Sequence, residues 1–599
     1  MKERASPSTG LRSWYAALFL LLLLVAGGMR LWQLDLRPYH YDESLHAFYS
    51  WQLATGKGYQ HDPMTHGPFQ FEASAAVFKL AGDSDYTARV PAAVLGSLLV
   101  VLPYFLRREL GRWGALAAGG LLAFSPIFLY ISRFARADIY LALWALVLVV
   151  AMVGYAREQK SGYLYLAAAS LGLAYATKEV AYMLVVIFLA FLLLLGAREL
   201  GRAVRDGFRF ASLSPLPSLF LFILSLSLPL FVPGIGLFQG VLGVTLANAD
   251  NSAGPEGIPL GVGLYVAIVL LTLSVVTGIW IGTRWRPRQW LVGFTIMYGL
   301  YVPMYTTFFT NPRGLPTGVW GSVGYWLVQH GKGRIEQPFF YYPLLLTTYE
   351  FLALLLAAGA AVYYVRRRLF KEGPFPITGF LLFWAVGAFM LFSYAGEKTP
   401  WLLLHLVLPL ALLGGKFVGQ WMHWRLLPRV VSLIVLVGLV ALSLPVALQV
   451  SYTTDDDPVQ ALVYAQGSFE LTGHRTDVVD WLERGGQVWA DAGVAWPWAW
   501  YLRNYSGFRY TYLYEYPPPE GALAIALEGQ EAELQQKLPG YAPGEGYRNL
   551  LWFPENYRGW GPRSFLTGEP WRWWAKYVLF RESVAYLSSA SVILWPPIR

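Results

Sequence analysis

The sequence predicts a mainly α-helical polytopic membrane protein of about 13 spans with a soluble α/β domain at its C-terminal end. Three observations carry that expectation. The 599 residues are 56% hydrophobic and only 14% charged, and the charges gather in short clusters between long apolar runs. Lysine and arginine concentrate in alternate connections between those runs. Near residue 450 the apolar runs give way to charges, prolines and alternating segments. A soluble enzyme is excluded. The net charge of +9 reports orientation rather than nucleic-acid binding, because the basic residues sit at alternate ends of apolar runs. Without cysteine there is no disulfide, thiolate metal site or cysteine nucleophile.

Runs long enough to cross about 30 Å of hydrocarbon begin near Ser13, Tyr86, Trp113, Asp138, Tyr163, Val180, Leu213, Gly261, Trp290, Tyr342, Ile377, Trp401 and Val430. The first follows Lys2, Arg4 and Arg12 and lacks a small-residue cleavage site, so it is expected to be retained. Basic residues place one set of connections in the cytoplasm: the N-terminus, Arg107 to Arg112, Arg157 and Lys160, Arg198 to Arg209, Arg284 to Arg288, Arg366 to Lys371, and Arg425 with Arg429. The acidic and aromatic loops face outward, and so does everything after about residue 451. The expected division is a membrane part, residues 1–450, with a first outer loop at 34–85, and an extracytoplasmic domain at 451–599. The setting is the plasma (inner) membrane. In the terminal domain Gln487 to Asp491 reads as a buried strand feeding an aromatic helix, and Ala522 to Leu527 followed by Gln530 to Leu538 repeats that order. Asp491 fits a turn or helix cap, or a ligand contact. Asn504-Tyr505-Ser506 fits a glycosylation sequon.

The first outer loop holds four of the eight histidines and a dense set of carboxylates. Residues from Asp42 onward have helical character, which places Asp42 and His46 at i and i+4 on one face and Glu43 within a turn of them. Acidic residues at a helix N-terminus are also ordinary caps. Other outward groups converge on the same surface. Arg133 and Arg136 precede Asp138 in SRFARAD, suited to an anionic head group or to interfacial anchoring. Lys178 and Glu179 form either a site or a local ion pair. Glu397 and Lys398 precede the run containing His405. Glu350 lies inside an apolar run, where a carboxylate implies a polar cavity or a hydrogen-bonded packing role. Asp83-x-Asp85 superficially matches a metal-nucleotide pair, but its position before the second span, with Arg89 nearby, suits a cap. No phosphate-cradling glycine loop or dinucleotide fingerprint occurs, so no nucleotide cofactor is expected.

An Asp-Glu pair after the first span, the R-x-x-R-x-D turn at Arg133 to Asp138, and the T-K-E turn at Thr177 to Glu179 resemble the GT-C membrane glycosyltransferases. The similarity is to the branch of protein O-mannosyltransferases and lipid A aminoarabinose transferases. HYDESLHA, YQHDPMTHGPF, TARVPA and GEKTPWLLLH resemble, more narrowly, a prokaryotic flippase-activity-associated group. The resemblance implies a cavity open to lipid and to the outside, a polyprenyl-phosphate sugar donor, and inversion at the anomeric carbon. It makes Asp42 the general base or its orienting partner with Glu43 beside it, and gives the donor phosphate to Arg133, Arg136 and Lys178. Asp138, Glu179, His46, His66, Glu350, Glu397, Lys398 and His405 are supporting candidates. Because imidazole and carboxylate suit a divalent ion, Asp42, Glu43 and His46 are candidate metal ligands. Membrane lipids and a lipid-linked sugar are the expected partners. The acceptor, whether protein, lipid or glycan, is not named by the sequence, and neither is the sugar. A lipid-linked-sugar flippase or its accessory subunit is the alternative, and an assembly scaffold with an aromatic outer domain is a third reading.

Overall fold

The computed structural model describes residues 9–332, 337–366, 373–454, 456–542, 544–581 and 587–596. Lys2, Arg4, Arg367, Arg368 and Lys371 of the expected cytoplasmic set lie outside them. Each of the thirteen apolar runs forms helix. Among the described residues nine helices are long and apolar enough to cross a membrane, and the bent pair Tyr341–Tyr349 and Phe351–Val365 makes a tenth. The remaining runs are Ser161–Tyr175 and Pro287–Tyr305, with Arg112–Phe124 and Pro126–Ile131 forming the third in two pieces. This is an integral membrane protein.

Two of these runs are broken, and one carboxylate serves both breaks. Glu350 sits between the halves of the tenth run, which meet at 103°. Its Oε1 accepts from the Ser125 hydroxyl at 2.7 Å and from the Ile127 amide at 2.8 Å. Those donors mark the start of Pro126–Ile131, where the first amides of a helix have no partner within it. Glu350 is therefore a clamp between two chain breaks, the hydrogen-bonded alternative for this position.

Beyond the last membrane helix, Leu426–Leu448, the chain builds a six-stranded mixed sheet ordered β1-β5-β6-β4-β2-β3. The strands are β1 (Gln466–Gly467), β2 (Val488–Asp491), β3 (Phe508–Thr511), β4 (Leu523–Leu527), β5 (Glu545–Trp552) and β6 (Leu587–Leu594). β2 pairs in parallel with β3 and β4, and β6 runs antiparallel to β4 and β5. As expected, β2 leads into an aromatic helix, Ala495–Tyr501, and β4 into Glu531–Lys537. Asp491 accepts from the amides of Gly493 and Leu513, a turn-capping role.

The sheet is built onto the first outer loop. His40 bridges Gln466 in antiparallel register, the Gly467 amide donates to the Tyr39 carbonyl, and Tyr39 stacks on Trp500. Asp83 and Asp85 do more than begin the helix Asp85–Val101, whose cap is Ser84. Asp83 binds Arg503 at 2.8 Å and Asp85 accepts from the Trp500 indole at 2.8 Å. The loop and the terminal domain thus lie on one side of the membrane. Truncating Arg503 to alanine leaves Asp83 unpaired and removes the cation 3.6 Å above the Trp500 ring. Faster hydrogen exchange is expected at residues 466–467 and 495–503, with the membrane helices unchanged.

Candidate functional site

The loop helix Tyr41–Ala54 opens with a reciprocal cap. His40 Nδ1 accepts from the Asp42 amide at 2.9 Å, and Glu43 Oε2 accepts from the His40 amide at 3.3 Å. Neighbours on a helix point about 100° apart, so Asp42 and Glu43 have different surroundings. Glu43 is fully buried. Its oxygens accept from Arg89 Nε at 2.9 Å and Nη2 at 3.0 Å, from the Ala135 amide at 2.8 Å, and from Arg37 Nη2 at 3.4 Å. Both oxygens are committed, and Glu43 faces no open space. Asp42, 34% exposed at its side chain, is the carboxylate that a ligand can reach.

Asp42 pairs with Arg136, which begins an alternating row of charges. Arg136 Nε lies 3.8 Å from Asp138, its guanidinium carbon is 3.6 Å from the Trp401 ring, and Lys178 Nζ donates to both Asp138 oxygens at 2.8 and 2.9 Å. His405 Nε2 is 3.5 Å from the same carboxylate. Four separate segments supply these groups, and opposite charges alternate, which limits the cost of burying any one of them. The surrounding protein disfavours charge on Asp42, but Arg136 foremost outweighs it and holds the carboxyl below the usual carboxylate range. Burial pushes the His46 imidazole down to about 3 and that of His40 to about 4, so both are neutral at physiological pH.

Arg133, the other candidate for the donor phosphate, is hydrogen-bonded to the end of the first helix. Its Nη1 donates to the carbonyls of Met29 and Trp32 and its Nη2 to that of Gln33, where the helix Thr9–Leu31 ends. Lys178 and Glu179 do not pair locally, because Lys178 turns to Asp138 while Glu179 Oε2 meets His66 Nδ1 at 2.7 Å. The loop segment around His66 packs so closely on this turn that a side chain at Gly67 would meet the Ala176 carbonyl at 2.3 Å. Glu397 is half-buried, Lys398 is buried, and both precede Trp401. Tyr464, which sequence did not single out, packs 5.8 Å from Trp401. Burial pushes its phenol up to about 12, with Glu555, Glu397 and Asp42 adding to the effect. Of the candidate metal trio, Glu43 has both oxygens taken by two arginines and a backbone amide, and His46 holds the Ala135 carbonyl through Nδ1. Among the described residues no three histidine or carboxylate side chains converge as a metal ligand set.

A helical membrane part, an outer-loop helix bearing the acidic pair and a sheet domain seated on that loop make a fold similar to that of the GT-C membrane glycosyltransferases. Residues 65–214 match the family described as dolichyl-phosphate-mannose-protein mannosyltransferase. The structure is similar to ArnT from Cupriavidus metallidurans bound to undecaprenyl phosphate, at a TM-score of 0.53 and 15% identity, over 91% of this chain and 98% of that one. It is also similar to the oligosaccharyltransferase AglB from Archaeoglobus fulgidus in complex with an inhibitory peptide and a dolichol-phosphate, at 0.52 and 12%, over 88% of this chain and 70% of that one. No curated protein matches the sequence. At these identities the likeness is one of fold.

Removing one partner of a buried, fully paired carboxylate costs about 3 to 5 kcal/mol. Glu43→Ala is therefore expected to lower the thermal midpoint of the purified protein sharply, while Asp42→Asn changes it little. Burial opposes the charge on Glu43, but Arg89 and Arg37 overcome it and hold the carboxyl at about 2. A group depressed in the folded state stabilises above its unfolded value and loses that contribution as pH falls. Melting temperatures are expected to drop between about pH 4.5 and 2 in the wild type, with a shallower slope in Glu43→Gln.

Proposed function

We propose that this protein transfers a sugar from a polyprenyl-phosphate carrier to an acceptor hydroxyl on the extracytoplasmic side of the membrane, with Asp42 as general base. The observation that carries the reading is the reachable Asp42 carboxylate held on Arg136, with the Asp138–Lys178 pair directly behind. In the reaction the acceptor oxygen bonds to the anomeric carbon and the sugar–phosphate C–O bond breaks. The electron pair leaves on the lipid phosphate, and the acceptor proton passes to Asp42. One displacement of this kind inverts the anomeric centre. Fixed cations in a low-dielectric site stabilise the charge that develops on the leaving phosphate.

Arg136 gives the base its timing. While it is paired with Arg136, Asp42 is a poor proton acceptor. An arriving phosphate competes for that guanidinium, and a carboxylate that loses its cation gains basicity. Donor binding thereby prepares the base for the acceptor. The loop, the acceptor path and the terminal domain share the outer side in this reading, with the N-terminus cytoplasmic, which the distribution of arginine and lysine supports.

The lipid tail has a place to lie. A cavity of about 370 Å³ is lined by apolar side chains including Leu346, Leu354, Leu382, Phe389, Leu406 and Leu410. Leu406 of this lining is the chain neighbour of His405, whose Nε2 lies 3.5 Å from Asp138. Two proteins of similar fold were solved with polyprenyl phosphates, which supports this class of donor.

Reconstituted with polyprenyl-phosphate sugars, the protein is expected to release lipid phosphate and form glycosylated product. Asp42→Asn should slow turnover by about 10² to 10⁴. Arg136→Ala should weaken donor use as well as turnover. Full activity in Asp42→Asn rules out the assigned base, and lipid movement across the bilayer without transfer identifies a flippase instead.

A further inference from the structure

The pair His66 and Glu179 has no role in the proton and phosphate chemistry above, yet it is the most tightly oriented imidazole of the outer loop. Glu179 Oε2 lies 2.7 Å from Nδ1, and the ring stacks on Trp326 at 5.1 Å with planes 12° apart. The backbone adds a third constraint, with φ 67 and ψ −168, a conformation that side chains other than glycine's rarely adopt and that concentrates at functional sites. In a neutral imidazole a carboxylate at Nδ1 selects the tautomer with the proton there, which leaves Nε2 as an acceptor.

Of the other histidines of the region, His46 is held through Nδ1 on the Ala135 carbonyl rather than on a carboxylate. His40 and His61 have Nε2 sealed in protein without a partner, and His405 has both ring nitrogens sealed. His66, 13% exposed at its side chain, has an Nε2 that is neither sealed nor partnered among the described residues. Its position is informative. Glu179 follows Lys178 directly in the chain, and the Gly67 amide donates to the Thr177 carbonyl at 3.2 Å, so the imidazole lies against the turn that carries Lys178. In the transfer reading Lys178 holds the donor phosphate, and the sugar on that phosphate lies next to the same turn.

We propose that His66, oriented by Glu179 and stacked on Trp326, is a specificity-determining residue that accepts a hydrogen bond from a hydroxyl of the donor sugar. This rests on the transfer reading above. A fixed acceptor discriminates among sugars because a donor that lacks the matching hydroxyl leaves it unpaired. Glu179 acts through His66 and is a positioning residue.

The test measures binding of four lipids to the full-length protein in nanodiscs: polyprenyl-phosphate mannose, glucose and aminoarabinose, and polyprenyl phosphate without sugar. His66→Ala is expected to weaken binding of the preferred sugar lipid by about ten- to hundredfold and to leave the sugar-free lipid unchanged. His66→Gln, which keeps an acceptor, should recover part of the loss, and Glu179→Gln should produce a smaller loss in the same lipid only. Equal weakening of the sugar-bearing and sugar-free lipids, or no weakening of either, overturns the proposal. Turnover of Asp42→Asn is measured in parallel. Full activity there sinks the transfer reading itself, whereas inactive Asp42→Asn alongside an unaffected His66→Ala sinks only the role of His66.

Discussion

The loop face of this molecule depends on one fully buried carboxylate. Glu43 joins the loop helix to Arg89 of the second span, to Arg37 beside the first, and to the Ala135 amide of the turn that leads into Asp138. A charge with no exposed surface must be compensated from every side, so the position of each donor is fixed by the others. Arg89 extends the knot by donating to the carbonyls of Leu34 and Arg37. Three segments that cross the membrane independently are thereby held to one geometry. Asp42, the neighbour of Glu43, is relieved of that duty and presents its carboxylate outward.

The site built on this knot is a row of alternating charges rather than a patch of one sign. Asp42, Arg136, Asp138 and Lys178 nearly neutralise one another, with Trp401 under the guanidinium and His405 against Asp138. Such a row is stable without ligand and is rearranged by one. In the proposed reaction an incoming phosphate would add negative charge where two cations are already shared with carboxylates, so it would redistribute pairings rather than fill a vacancy. Donor recognition and activation of the proposed base would then be a single electrostatic event.

Much of this was legible in the sequence, and for identifiable reasons. Apolar runs and alternating basic loops mark the spans and put Asp42, Arg136, Asp138, Lys178 and His405 on one side, because the bilayer converts chain order into sidedness. The helix beginning at Asp42 follows from spacing. Spacing does not say which of two adjacent carboxylates faces inward, since that depends on Arg89, 46 residues away. For the same reason Arg133 and Arg136 look alike in sequence but part company at the turn between them. Tyr464 and Trp326 were invisible because only tertiary contact brings them to the site. The breaks at Ser125 and Glu350 carry a weak trace, a proline after one and a lone carboxylate at the other.

The bridge between His40 and Gln466 has a consequence for biosynthesis. His40 caps the helix that presents Asp42, and its backbone is registered against a strand that emerges more than 400 residues later. The amides of Tyr41 and Gly467 complete the same seam, donating to Ala465 and Tyr39. The early loop is thus made long before its partner has been translated, and it stays unfinished until the last membrane helix has been threaded and the terminal sheet has folded. A chain stalled or truncated in its last quarter would carry every acidic residue of the site and still lack the template that sets them in place.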